Sequence, residues 1–217
     1  MDTYVSEQEQ VEQLRKWWKN NGQALVLGLA LGLAGLGGYR YWDASRNAQA
    51  VNASINYEAM IQMAAAQKVD DAIKAGKTII EAYPDTAYAK LSALLVAKLS
   101  IEKNDYDGAR AELQALLASN GKGEIADIAR TRLARLELAQ GKADEADKLL
   151  AAVPLRGAED GTLELRGDVA AARGDLATAR TRYNDALTAA DKLGLDRDTI
   201  QLKLDNLPGA AGTHDGS

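Results

Sequence analysis

The residues with the clearest capacity for chemistry are three clusters of carboxylates. Two acidic side chains held together in a cleft can serve as a general acid and a general base. The clusters are Asp70-Asp71, Asp144-Glu145-Asp147 and Glu159-Asp160. Each lies at a predicted turn or helix start, where the helix dipole stabilises negative charge. This placement favours helix capping over catalysis.

Other residue types that catalyse reactions or bind metals are scarce. The chain has no cysteine and a single histidine, His214, within the C-terminal sequence GAAGTHDGS. Cysteine nucleophiles, disulfides and thiolate metal sites are therefore excluded, and transition-metal sites are not expected. The glycines do not have the spacing of a phosphate-binding loop. The sequence predicts that the protein is not an enzyme and needs neither cofactor nor metal.

The composition favours helices and gives no sign of nucleic-acid binding. Alanine and leucine dominate, and there are three prolines and no phenylalanine. Alternation of β-branched and polar residues is absent, so we expect an all-α protein. The 31 acidic and 26 basic residues are interspersed, with a net charge of −5 and no basic patch. No nucleic-acid partner is expected.

One stretch, residues 22–43, reads GQALVLGLALGLAGLGGYRYWD and carries no charge between Gly22 and Tyr39. As a helix it would span roughly 31 Å, about the thickness of the hydrocarbon core of a bilayer. The three tryptophans flank it, as Trp17, Trp18 and Trp42. Aromatic rings at both ends are typical of the membrane–water interface. We therefore predict a single transmembrane helix over 22–43.

A cleaved signal peptide is the alternative for this stretch. The sequence Ala48-Gln49-Ala50 offers a cleavage site with small residues. However, charged and aromatic residues separate it from the apolar run, which is longer than a usual signal core. We predict an uncleaved anchor.

The basic residues on either side of the anchor bear on its orientation. Arg15, Lys16 and Lys19 precede it, whereas Arg40 and Arg46 follow it. By this small margin the segment 1–21 is expected to be cytoplasmic, with the rest of the chain on the other side.

Ala24, Gly28 and Gly32 lie four residues apart within the anchor. Small residues at this spacing let two membrane helices approach closely. They could form a docking face for another membrane helix, or they could simply be part of a glycine-rich anchor. The sequence leaves both interpretations open.

The rest of the chain repeats. Four turn residues, Gln67, Asn104, Gly141 and Gly174, each stand five residues before an alanine; the alanines are Ala72, Ala109, Ala146 and Ala179. The alanines are 37, 37 and 33 residues apart, close to the roughly 34 residues of a tetratricopeptide-like helix–turn–helix unit. The last unit fits best, with Gly167, Ala179, Tyr183 and Ala186 at its small, small, aromatic and small positions, and Met60, Ala97 and Ala134 match Gly167 in the earlier units.

The expected architecture is an α-solenoid over residues 44–207, made of about four helix pairs and a capping helix. Its first helix, about 44–66, should continue the anchor without a break. Ile200, Leu202, Leu204 and Leu207 of the last helix could cover the end of the stack, and Asp196 could cap the start of that helix. Residues 208–217 are expected to be a disordered tail.

The first helix of each pair in such an array lines a concave groove. Equivalent groove positions would be Ile61, Lys98, Arg135 and Asp168, with Tyr57, Leu94, Thr131 and Glu164 one turn earlier. These side chains either contact a partner protein or simply face solvent.

Several motifs resemble one family. They are the basic-aromatic cluster RKWWKNNG, the span ending GGYRYWD, the LRGD of residues 165–168 and the KLDNL of residues 203–207, in that order after an acidic N-terminal segment. Together they resemble the YfgM family, ancillary subunits of the bacterial SecYEG translocon, over nearly the whole chain.

The resemblance implies a single-pass protein of the bacterial inner membrane whose repeat domain lies in the periplasm. It also implies association with the SecYEG translocon and a PpiD-like chaperone, and help in handing over unfolded secretory proteins. It supplies no catalytic residue. The alternative function is a membrane-tethered scaffold that assembles another envelope or cytoplasmic complex.

Overall fold

The structure, a computed structural model, describes residues 7–119, 121–154 and 160–209. These residues form nine α-helices and no strand, which confirms the predicted all-α class. The helices are α1 (Glu7–Ala65), α2 (Val69–Ala82), α3 (Ala87–Glu102), α4 (Tyr106–Ser119), α5 (Glu124–Ala139), α6 (Ala143–Ala151), α7 (Asp160–Ala172), α8 (Leu176–Leu193) and α9 (Asp198–Asp205). Glu159, His214 and the tail from Ala210 onward lie outside the described residues.

The chain divides into two compact units, Met1–Asn52 and Ala53–Ser217, and the division falls inside α1. No Pro interrupts α1 between these units, and the helix is continuous to Ala65. The prediction that the first helix of the repeats continues the apolar stretch is therefore confirmed.

In the N-terminal unit, α1 exposes nearly all of its apolar side chains. Leu29 is 63% exposed and Leu31 is 65% exposed. By length and composition α1 can cross a membrane, and it is the one helix in the described part of the chain that can. At the C-terminal end of the apolar stretch, the Trp42 ring lies 6.3 Å from the Tyr39 ring. The Arg46 guanidinium lies 4.7 Å from the centroid of the Trp42 ring. An apolar surface of this kind is stable in lipid and costly in water.

Each of the four predicted turn residues has a left-handed backbone. The φ angles are 61° at Gln67, 63° at Asn104, 77° at Gly141 and 80° at Gly174. At each turn, the N–H of that residue donates to the carbonyl three residues back, and the next N–H donates to the carbonyl five residues back. This is the Schellman arrangement, which closes a helix and satisfies its last carbonyls. The four turns are therefore confirmed as the hairpin bends of four helix pairs.

The two helices of each pair approach closely at one small-and-large contact. Met60 lies against Gly76 and Tyr183 against Gly167, and the equivalent residues of the other two pairs, Ala97 with Leu113 and Ala134 with Leu150, share a core cluster. The larger side chain comes from the second helix in three pairs and from the first helix in the pair that contains Met60. Each pair thus combines one small and one large side chain, and the large one can come from either helix. The summed side-chain volume is preserved, as close packing requires. The four repeated alanines, Ala72, Ala109, Ala146 and Ala179, are all fully buried.

Successive pairs stack through their second and first helices. Helix α2 contacts α3, α4 contacts α5, and α6 contacts α7. The buried apolar residues form a series of adjoining clusters along the stack. Stacking of this kind buries the apolar face that each pair leaves open, as in other repeat arrays.

Two of the three acidic clusters, Asp70-Asp71 and Asp144-Glu145-Asp147, lie at helix starts as predicted, on α2 and α6, and they also link neighbouring pairs. Asp70 forms an ion pair with Lys103, and Asp144 forms one with Arg173. In both ion pairs the acidic residue lies three positions after one turn residue, and the basic residue lies directly before the next turn residue. Between these two links, Asp107 binds Arg110, which reaches Gln140. At the equivalent position of the last pair stands Ala177, beyond which the described residues contain no further pair.

The closing helix α9 and the turn after it cover the end of the stack with three of the four predicted residues. Ile200 and Leu207 are buried against α8, and Leu204 is partly buried in the same cluster. The prediction for Leu202 is wrong, because it is 62% exposed. Ile200, Leu204 and Leu207 follow the helical spacing of four and three residues, which places Leu202 on the opposite face. Asp196 accepts a hydrogen bond from the N–H of Asp198, the first residue of α9.

Candidate protein-binding groove

The first helices of the pairs lie side by side in the C-terminal unit. Helix α3 contacts α5, and α5 contacts α7. Each of these helices is also backed by its own second helix. The candidate groove residues therefore lie on neighbouring helices.

The first set of predicted groove positions, Ile61, Lys98, Arg135 and Asp168, differ in accessibility. Ile61 is 39% exposed, and the Lys98 and Arg135 side chains are also exposed. The Asp168 side chain is only 25% exposed because it forms an ion pair with α9. Three of these four side chains are thus accessible to a partner.

The second set of predicted groove positions, Tyr57, Leu94, Thr131 and Glu164, are less accessible. Leu94 is 5% exposed and belongs to the hydrophobic core. Tyr57, Thr131 and Glu164 are partly buried. The Thr131 hydroxyl donates to the carbonyl of Asp127, within its own helix.

Aromatic and aliphatic side chains line the first part of the groove. The Tyr57 ring, near the end of α1, lies 5.8 Å from the Tyr88 ring of α3. A shallow cavity of about 700 Å³ beside them is also lined by Ile55 and Ile61. Burial raises the pKa of Tyr57, and the charge of Arg132 acts in the opposite direction.

The middle of the groove contains a cavity of about 580 Å³ between α3, α4 and α5, here named the arginine pocket. Its apolar floor consists of Ala97, Ile101, Leu113, Leu136 and Ala139, and its rim carries Lys98, Arg132 and Arg135. Arg132 Nη1 donates to the Leu94 carbonyl at 2.9 Å. Burial lowers the pKa of Arg132, and the neighbouring charge of Arg135 lowers it further.

The sequence analysis missed Arg132. The repeat alignment placed Thr131 and Arg135 in the groove, one helical turn apart. Arg132 lies three residues before Arg135, which is also a same-face spacing on a helix. A search for clustered cations at spacings of three as well as four would have found it.

The last part of the groove is closed by α9. Lys203 Nζ lies 2.6 Å from Glu164 Oε1 and 2.7 Å from Asp168 Oδ2. The Tyr183 hydroxyl donates to Asp168 Oδ1 at 2.9 Å. Both acidic groove residues of the last pair therefore have partners within the chain, with one positive charge shared between two carboxylates.

The environment of this cluster shifts two pKa values upward. Burial raises the pKa of Tyr183, assisted by its hydrogen bond to Asp168 and by the charges of Asp168 and Glu164. For Lys203, burial acts to lower the pKa, but hydrogen bonds to Asp168 and Glu164 outweigh it and raise the pKa overall.

These shifts predict a loss of stability at alkaline pH. A raised pKa in the folded state stabilises the fold below the unfolded pKa, about 10 for both residue types, and this contribution is lost as pH rises further. We expect the free energy of unfolding of the full chain in detergent to fall between pH 9 and pH 11, measured by urea denaturation. Tyr183→Phe should reduce this fall, whereas Tyr106→Phe, at an exposed position, should not. Equal pH dependence in both variants would contradict the assignment.

The described residues contain no group of three or more His, Cys, Asp or Glu side chains arranged to hold a metal ion. The features of the groove are an apolar beginning, a cationic middle and an end occupied by α9. Such a surface can bind another polypeptide through apolar and charged contacts.

Comparison with known proteins relates the whole architecture to one family. A family model described as a tetratricopeptide repeat-like domain matches residues 15–209, from α1 to the end of α9. The chain is 29% identical over 204 residues to the ancillary SecYEG translocon subunit of Haemophilus influenzae, with 94% of this chain and 98% of that protein covered. It is 30% identical over 207 residues to the protein of the same name from Escherichia coli, with 95% and 99% covered. A third protein of that name, from Neisseria gonorrhoeae, is 29% identical over 213 residues, with 95% and 100% covered. The chain therefore belongs to the tetratricopeptide repeat-like family that includes these ancillary SecYEG translocon subunits.

Proposed function

We propose that the protein is a membrane-anchored protein-interaction module at the SecYEG translocon. The observation that carries the proposal is the combination, in one chain, of an exposed apolar helix able to span a bilayer and a stack of helix pairs. The names of the relatives, which match over nearly their full length, support the translocon as the partner.

In this proposal residues 1–21 are cytoplasmic, residues 22–43 cross the inner membrane, and the repeats of 44–207 lie in the periplasm. There the repeats would work with a PpiD-like chaperone in handing over secretory proteins that emerge from the translocon. The small excess of basic residues before the span and the resemblance to the YfgM family support this orientation.

Protease treatment of spheroplasts tests the orientation. A periplasmic repeat domain should be digested by external protease while the inner membrane is intact. A domain that resists until the membrane is opened would instead favour the cytoplasmic scaffold. Photocrosslinking from Ile61 or Arg135 in intact membranes would then identify the proteins that contact the groove.

We further propose that Ala24, Gly28 and Gly32 contact another membrane helix. No heavy atom lies within 4 Å of a Cβ placed on Gly28 or Gly32, so the described residues leave this face open. Gly28→Leu combined with Gly32→Leu should prevent close helix approach and reduce co-purification of translocon subunits from membranes.

The matched control is Leu29→Ala with Leu33→Ala, at the same spacing on a neighbouring face of α1. This variant should leave co-purification unchanged, and circular dichroism should find both variants folded. If the leucine variant retains its membrane partners, the contact belongs to the repeats or to another face of α1.

A further inference from the structure

The arginine pocket combines an apolar floor with positive charge that the chain does not neutralise. Leu113 is fully buried and Leu136 is 5% exposed, so the floor is part of the hydrophobic core. Three cations surround this floor, and Glu102 is the one carboxylate among the described residues that line it. Glu102 is 3.6 Å from Lys98, one turn away on the same helix.

Three other arginines of the same unit form ion pairs with carboxylates, whereas Arg166, like Arg132, donates to backbone carbonyls. Arg110 binds Glu137, Arg130 binds Asp127, and Arg173 binds Asp144. Among the side chains of residues 9–119, 121–154 and 161–209, no carboxylate forms an ion pair with Arg132 or Arg135. The chain carries an excess of acidic residues, so this is not a shortage of available partners.

Two neighbouring guanidinium groups over an apolar floor are electrostatically unfavourable. Burial penalises the charge of Arg132, and the charge of Arg135 adds repulsion. A carboxylate placed between them would relieve both effects through charge-assisted hydrogen bonds. The floor would at the same time accept an adjacent aliphatic side chain.

We propose that the arginine pocket binds a partner polypeptide through an acidic side chain next to an aliphatic one, the carboxylate contacting Arg132 and Arg135 and the aliphatic group covering the floor. The inference rests on the proposed role of the repeats in binding protein. It specifies the chemistry of the bound segment.

The residues at the two ends of the groove also favour a bound segment that is acidic and apolar. Tyr57 and Ile61 offer apolar contacts before the pocket, so residues flanking the acidic one should be apolar on that side. Beyond the pocket, Lys203 already forms ion pairs with both Glu164 and Asp168. A basic segment would therefore find few available carboxylates in the groove.

Peptide binding to the full chain in nanodiscs of zwitterionic lipid tests the proposal. The probe is a fluorescent octapeptide with one glutamate between two leucines, other positions serine and glycine, and both termini blocked. We expect saturable binding that is at least about tenfold weaker when glutamine replaces the glutamate. Binding should also weaken as salt screens the charges.

Variants of the protein locate the site. Arg135→Gln and Lys98→Gln, at exposed positions, should weaken binding of the glutamate peptide, Arg135→Gln by roughly tenfold. Arg182→Gln is the control, because Arg182 lies on α8 and pairs with Asp185 at 3.4 Å. Arg132→Gln should also weaken binding, and circular dichroism must find that variant folded, because Arg132 binds the Leu94 carbonyl.

Equal affinity for the glutamate and glutamine peptides, or no effect of Arg135→Gln, would overturn the proposal. Tighter binding of a glutamate-free peptide with an unblocked C-terminus would also overturn it, because the pocket would then select a terminal carboxylate. Co-purification of translocon subunits with the same variants is a separate readout. If the peptide does not bind but the translocon still co-purifies, this inference fails and the proposed function stands.

Discussion

Tyr183→Ala should lower the free energy of unfolding by about 3–5 kcal/mol, the range measured for truncation of buried aromatic side chains. Tyr183 is 3% exposed, and its ring fills the space beside Gly167. A Cβ on Gly167 would lie only 2.4 Å from Tyr183 Cε1, so no other side chain of α7 fills that space. The variant also loses the hydroxyl that donates to Asp168.

Urea denaturation of the full chain in detergent, followed by circular dichroism, measures this loss. The control is Tyr106→Ala, because Tyr106 is 41% exposed at the start of α4. We expect the control to change the free energy of unfolding by less than about 1 kcal/mol. Similar losses in the two variants would mean that the Gly167–Tyr183 contact does not hold the last pair together.

Gly76→Leu should also destabilise the fold, by about 1–3 kcal/mol or more, because it overpacks a filled contact. A Cβ at Gly76 would lie 2.5 Å from Val96 Cγ2 and 2.6 Å from Met60 Cε. The Met60 methyl group can shift, but the branched Val96 side chain has little freedom to do so. The first pair should therefore loosen, as thermal denaturation of the full chain would detect.

Combining Gly76→Leu with Met60→Ala should recover the part of the lost stability that comes from the clash with Met60, whereas the clash with Val96 remains. The double variant recreates the alanine–leucine contact of the second and third pairs, Ala97 with Leu113 and Ala134 with Leu150. Met60→Ala alone should destabilise by about 2–5 kcal/mol, because it leaves a cavity. If the effects of the two substitutions simply add, the two positions do not exchange volume as the packing indicates.

Local sequence signals predicted the helix pairs well. A turn residue with left-handed backbone and an alanine five residues later depend only on neighbouring residues, so they recur visibly in the chain. Gln67 and Asn104 take this conformation without being glycines, and the periodicity still identified them. The apolar stretch of α1 was equally clear, because composition alone distinguishes it.

Contacts between distant residues were harder to predict. Met60 was aligned with Gly167 from spacing, but the exchange of volume with Gly76 appears only when the two helices are packed together. The ion pairs of Lys203 with Glu164 and Asp168 join residues on different helices, with no local pattern to indicate them. These pairs mean that two of the eight candidate groove residues are bound within the chain.

The links between helix pairs give the stack a direction. A duplicate of the α3–α4 hairpin inserted after α4 would bring equivalents of Lys103 and Asp107. It could pair with the original Asp107 on one side and repeat the link through Arg110 to Gln140 on the other. A hairpin added after α8 would meet Ala177 where a carboxylate is needed, and α9 already occupies that surface. Internal duplication of a hairpin could therefore lengthen the array. At the C-terminal end, a further pair would find no carboxylate to bind and a surface already covered by α9.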